Sequence, residues 1–158
     1  MRKSRGKIII DSVDKKILST LQNEGKISNV DMAEKLNLTP PPCLRRIELL
    51  ENNKVIKGYH AELDSKILGW PNLFHVIVIL DTQKEAMLVD FEQLALSWPE
   101  VREIHMIRAN GDFLLKMVAK SDEHEVLLMK RITSIPYIYR VQTLQTIRMA
   151  KYLPGIPL

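Results

Sequence analysis

Apolar residues at Val13, Ile17, Leu18 and Leu21 recur at helical spacing, with Asp11 or Ser12 as N-cap and Gly25 as a stop. Ser28 opens a second helix: Ser28-Asn29-Val30-Asp31 resembles a capping box with Asp in place of Glu, and Val30, Ala33 and Leu36 lie three apart. Asn37, a residue that tolerates the left-handed conformation, suits the tight exit that follows. Thr39 caps a third helix whose buried stripe is Cys43 or Leu44, then Ile47 and Leu50. Prolines 40–42 lose no bond in a first turn, whose N–H groups have no partner inside the helix. A residue before proline avoids the α region, however, so the helix is expected to begin at Pro42. Two short helices joined by a tight turn over a third make a helix-turn-helix. Val55–Ala61 alternates weakly and reads as a strand or wing.

After turn residues near Gly69-Trp70-Pro71-Asn72 the order becomes strand, helix, strand, strand, helix, strand. The expected strands are Leu73–Asp81, Val101–Arg108, Phe113–Ala119 and Tyr137–Met149. The first helix, Lys84–Trp98, carries a stripe of Met87, Leu88, Phe91, Leu94, Ala95 and Trp98; the second, Glu123–Ile135, is capped by Asp122 with Glu125 three residues on. Trp98-Pro99-Glu100-Val101 and Ile135-Pro136-Tyr137-Ile138 are the same helix-to-strand junction, so the two halves repeat one split βαβ unit. The first strand is apolar on both faces, with Phe74, Val76, Val78 and Leu80 on one and Leu73, Ile77 and Ile79 on the other. Helices cover only one side, so the other is expected to meet a second copy.

Charge divides the chain the same way. Residues 1–60 carry a net +5, of which +4 lies in the first ten, and residues 61–158 carry −1. A basic front half beside a near-neutral back half is the footprint of a chain whose first part meets a polyanion. The longest apolar run, Phe74–Leu80, is seven residues and includes His75, far short of the roughly 20 that span a membrane. Only Ile8–Ile10 follow the basic start, too short for a secretory core, and a lone Cys43 makes no internal disulfide. A soluble cytoplasmic chain is expected.

Specific residues sharpen this. Asp11-x-x-Asp14-x-x-Ile17-Leu18-x-x-Leu21-Gln22, Gly25-x-Ile27-Ser28-Asn29, Leu38-Thr39-Pro40-x-Pro42-Cys43-Leu44-x-Arg46-Ile47-x-x-Leu50-Glu51 and Ile56-x-Gly58-Tyr59 together resemble the leucine-responsive/asparagine-responsive (Lrp/AsnC) family of prokaryotic transcription regulators. The resemblance implies an α+β chain, an N-terminal winged helix-turn-helix joined to a C-terminal ferredoxin-like βαββαβ domain. Its expected parts are a basic tail over 1–10, the DNA-binding domain over 11–61, a linker over 62–72 and an effector-sensing, oligomerising domain over 73–158. It also implies double-stranded DNA, a homodimer building higher oligomers such as an octamer, and a small-molecule effector, commonly an amino acid, as partners.

Carried over by position, Thr39, Pro41, Pro42 and Arg45 face the bases, with Arg46 at a position the family keeps basic. Ser28 and Asn29 approach backbone phosphate, and Lys57 adds positive charge on the wing. Glu48 and Leu49 stand where relatives often carry basic residues, and Lys54 replaces the expected glycine, so either a non-glycine residue sits at positive φ there or the exit is built differently. The family's Gly-x-x-Asp-Tyr-Leu-Leu effector motif reads Ala109-Asn110-Gly111-Asp112-Phe113-Leu114-Leu115 here. Ala109, Gly111 and Asp112 are thus the candidate effector contacts, with Met106, Leu144 and Thr146 lining the same cleft. The plainer reading is a hairpin turn at Asn110-Gly111 with Asp112 as a turn acceptor.

Other chemistry is thin. The six glycines form no phosphate loop, the four histidines show no metal spacing, and Cys43 has no nearby histidine to make it a nucleophile. No catalytic residue, metal or cofactor is expected. Two alternatives remain: an architectural DNA-compacting protein, and an enzyme resembling the sirohaem decarboxylases, for which only His105 and Arg108 offer support.

Overall fold

The computed structural model describes residues 9–109, 111–153 and 155–158; most of the basic tail, and Asn110 of the expected turn, lie outside the described residues. The chain divides into two compact units, one running to Glu62 and taking in Lys151–Leu158, the other spanning Leu63–Ala150. The last eight residues thus pack with the first unit.

The first unit holds α1 (Ser12–Asn23), α2 (Asn29–Lys35) and α3 (Pro40–Asn52) around Ile17, Met32, Ala33, Cys43 and Leu50, all buried. Asp11 is the N-cap of α1: its side chain accepts from the N–H groups of Val13 and Asp14, and Asp14 accepts in return from the N–H of Asp11. α2 leaves through a Schellman motif. Asn37 sits at φ 54°, its N–H donates to Glu34 O (3.0 Å), and the N–H of Leu38 donates to Ala33 O (2.8 Å). α3 ends the same way around Lys54 at φ 60°, with Lys54 N–H to Glu51 O (2.9 Å) and Val55 N–H to Leu50 O (2.9 Å). The lysine thus occupies the position a glycine takes more cheaply.

Three expectations change and one open choice is settled. α3 begins at Pro40, so the absence of first-turn bonding outweighs the constraint on residues before proline. Met32, not Val30, fills the core, because Met32 and Leu36 lie four apart on the inner face of a seven-residue helix whose second residue points outward. Cys43 rather than Leu44 is buried. Val55–Ala61 forms no strand, since a strand needs a ladder partner and the described residues supply none; Tyr59 instead donates to Glu51 Oε1 (2.8 Å) and fastens the segment to α3.

The second unit is a βαββαβ domain: β1 (Asn72–Leu80), α4 (Glu85–Leu96), β2 (Val101–Ala109), β3 (Gly111–Ala119), α5 (Asp122–Thr133) and β4 (Ile138–Gln145). The sheet order is β2-β3-β1-β4, every neighbouring pair antiparallel. β1 alternates so that Phe74, Val76, Val78 and Leu80 are buried against Phe91, Ala95, Trp98, Leu128 and Ile132. Phe91 and Phe113 stack with ring centroids 4.9 Å apart. The repeated junction is real: Val101 N–H donates to Trp98 O and Ile138 N–H to Ile135 O, each at 3.1 Å. The α5 cap lies one residue earlier than expected, at Ser121, which accepts from His124 N–H. The final strand stops at Gln145. On the helix-free face, Ile77 and Ile79 of β1 are only partly covered and Leu144 of β4 is exposed.

Candidate nucleic-acid interface and effector region

α3 presents Pro41, Pro42, Leu44, Arg45, Glu48, Leu49 and Asn52 to solvent. Thr39 precedes it with no capping bond from its hydroxyl. Arg45 is the only cation on this exposed face and has no ion-pair partner among the described residues. Glu48 stands one turn on, so the helix by itself carries no net positive charge outward.

Arg46 behaves otherwise. Its guanidinium donates to Asp11 Oδ2 (2.7 Å) and Asp14 Oδ1 (2.8 Å), tying α3 to the cap of α1. The Asp14 backbone N–H and then Arg46 hold the Asp11 carboxyl below its ordinary value. Arg46, at the position the family keeps basic, is thus bound by the unit's own acids. Ser28 caps α2 by accepting from Asp31 N–H (3.1 Å) and donating to its carboxylate (2.6 Å). Asn29 donates to Pro40 O (3.0 Å), so it sets the approach of α2 to α3. Lys57 is exposed beyond α3.

In the second unit, Asp112 is 7% exposed, and Oδ2 accepts from Leu80 N–H (2.7 Å) while Oδ1 accepts from Gln83 Nε2 (3.0 Å). Both carboxylate oxygens thus pin the end of β1 and the segment before α4. Gly111 pairs with Ala109 across the hairpin, and a Cβ there would overlap Ile77 Cγ2, so close strand approach demands the glycine. Met106 is 59% exposed on β2, opposite Phe113. Leu144 pairs with His75 on β4, and Thr146 is exposed just beyond that strand. Within a single chain Met106 stands apart from Leu144 and Thr146. β2 and β4 are opposite edges of the sheet, and Met106 aligns with helix-facing Phe113 whereas Leu144 aligns with His75 on the open face. Among the described residues, no group of three or more His, Cys, Asp or Glu side chains is placed to hold a metal ion, and no helix is long and apolar enough to cross a membrane.

Residues 10–57 match the winged helix-turn-helix DNA-binding family model, and residues 74–156 match the Lrp/AsnC ligand-binding domain. The chain belongs to the Lrp/AsnC family. It is 38% identical to a leucine-responsive regulatory protein of Rhizobium meliloti over 92% of this chain and 94% of that one. A namesake from Haemophilus influenzae is 37% identical over 90% and 86%. An AsnC family transcriptional regulator from Agrobacterium tumefaciens superposes with a TM-score of 0.86 at 27% identity, over 93% of this chain and 96% of that one. A transcriptional regulator from Neisseria meningitidis, solved as its L-Met complex, superposes with a TM-score of 0.89 at 25% identity, over 94% and 97%.

This Lrp/AsnC chain is a DNA-binding transcription regulator with a ligand-binding domain, and neither alternative is favoured. Sequence reasoning saw Asp11 and Asp14 as helix-start acids but missed their tie to Arg46, which lies more than thirty residues away. It missed Gln83 as well, because nothing local marks that side chain as the partner of Asp112.

Proposed function

We propose that this regulator reads duplex DNA with the exposed face of α3, Arg45 at a base edge or phosphate and Thr39, Pro41 and Pro42 beside it. Arg46 is then a positioning residue that fixes the angle of α3 on α1, and Ser28 and Asn29 shape the turn. Lys57 and the basic N-terminal residues supply phosphate contacts that α3 itself lacks. The observation carrying this reading is the split between adjacent arginines, Arg46 bound by two carboxylates and Arg45 exposed. Replacing Arg45 with Ala should leave stability unchanged and weaken specific DNA binding by about 1–3 kcal/mol, read by gel shift on fragments selected from genomic DNA. Wild-type affinity in that variant would overturn the assignment.

The protein acts in the cytoplasm, has no catalytic role, and works as a homodimer or higher assembly closed over the open sheet face. What supports the pairing is the apolar character of that face, where Ile77, Ile79 and Leu144 lack cover from helices. A monomeric mass in solution would defeat it. The effector we favour is an amino acid, supported by the names of the relatives and the L-Met complex of the Neisseria regulator. Its contacts lie at the hairpin, around Met106, Ala109 and Gly111, with Asp112 positioning the hairpin. Leu144 and Thr146 join such a site only from a second copy. The effector alters regulation only if it prefers one assembly or DNA-binding state over another.

A further inference from the structure

The C-terminal tail ends on the helix-turn-helix unit through contacts that are specific at every atom. Gln22, in the last turn of α1, donates from Nε2 to Ile156 O (3.0 Å) and accepts at Oε1 from Ile156 N–H (2.7 Å). One side-chain amide thus satisfies both backbone groups of Ile156, as a neighbouring strand would. Gly155 has φ +84°, a conformation that favours glycine, and a Cβ there would push the Gln22 carboxamide out of its place. Around this clasp runs a groove of about 880 Å³ whose walls include Leu18, Leu21, Ile56 and Tyr59 from the head and Tyr152 and Leu158 from the tail. Gln22, Gly155 and Ile156 themselves take no part in the buried core of the unit, which is built around Ile17, Met32, Ala33, Cys43 and Leu50.

The geometry points to a strap: the seat formed by Gln22 holds the chain's own C-terminal tail and keeps the recognition helix in its DNA-competent pose. α1 carries Gln22 at one end and Asp11 and Asp14 at the other, and those acids hold Arg46 of α3. The tail is covalently continuous with β4 through residues 146–150. Release of the tail frees the C-terminal turn of α1 and lowers DNA affinity.

Two full-length variants test this, Gln22→Glu, which sets a carboxylate against the Ile156 carbonyl, and Gly155→Ala, which blocks the seat from the tail side. Both sites lie outside the core, and circular dichroism checks that each variant folds. In each, exchange of the Ile156 amide with deuterated solvent should speed up at least tenfold, and DNA affinity should fall about fivefold. The double variant should be no weaker on DNA than either single one, since both cut the same clasp. Wild-type Ile156 exchange in Gln22→Glu would overturn the clasp, whatever the DNA result. Faster exchange with unchanged DNA affinity, or additive losses in the double variant, would overturn its role in DNA binding.

Discussion

The two units solve the problem of stability differently. Among the described residues the sheet unit buries thirteen apolar side chains between one sheet face and two helices, whereas the head buries five and adds two Schellman exits, a reciprocal cap and the Arg46 tie. Small cores gain less from burial, so a larger share of the head's rigidity comes from directed hydrogen bonds. Those bonds also hold α3 at an angle, which area alone does not specify. The sheet unit is therefore tolerant at its surface and brittle in its interior, and the head is sensitive at individual polar atoms.

Three substitutions probe that contrast. The largest effect is expected in the sheet unit. Phe113→Ala removes a fully buried ring stacked on Phe91 and should cost about 3–5 kcal/mol by chemical denaturation. A loss under 1 kcal/mol would mean that packing does not dominate there. In the head, Arg46→Gln should cost about 1–2 kcal/mol, because buried Asp14 loses a charge-assisted partner. Specific DNA binding should weaken with it although Arg46 does not face outward. The same variant changes the acid limb of stability. Asp11 has a lowered carboxyl, so its contribution is full above the ordinary value of 3.8 and is lost as pH falls through the lower folded value. Without Arg46 the folded value lies closer to 3.8, so the contribution is smaller and its loss is complete at a higher pH, as an acid titration followed by circular dichroism will read. The smallest effect has the opposite sign. Lys54→Gly relieves a left-handed lysine and should stabilise the head by about 0.5–1 kcal/mol, with the thermal midpoint rising.

Local signals were legible wherever a residue's own chemistry decides the backbone. Asn37 sits at the left-handed exit read from its position, and β1 alternates as its residues alternate. The proline-headed helix was readable in type but not in its first residue, since two local rules oppose each other there and only packing arbitrates. The candidate site was less legible. Nothing local distinguishes Arg45 from Arg46: they are adjacent on one helix, and the rotation that turns one to solvent and the other to Asp11 and Asp14 comes from how α1 meets α3.

The sequence alone therefore determined the element types and the two-part architecture, because periodicity, caps and turn residues act over a few neighbours, and its motif residues carried the resemblance to the family. Which of two arginines faces outward, which strand edges carry Met106 and Leu144, and where the last eight residues come to rest were decided by the tertiary structure. Each depends on partners tens of residues or more away, whose proximity exists only once the chain has closed on itself.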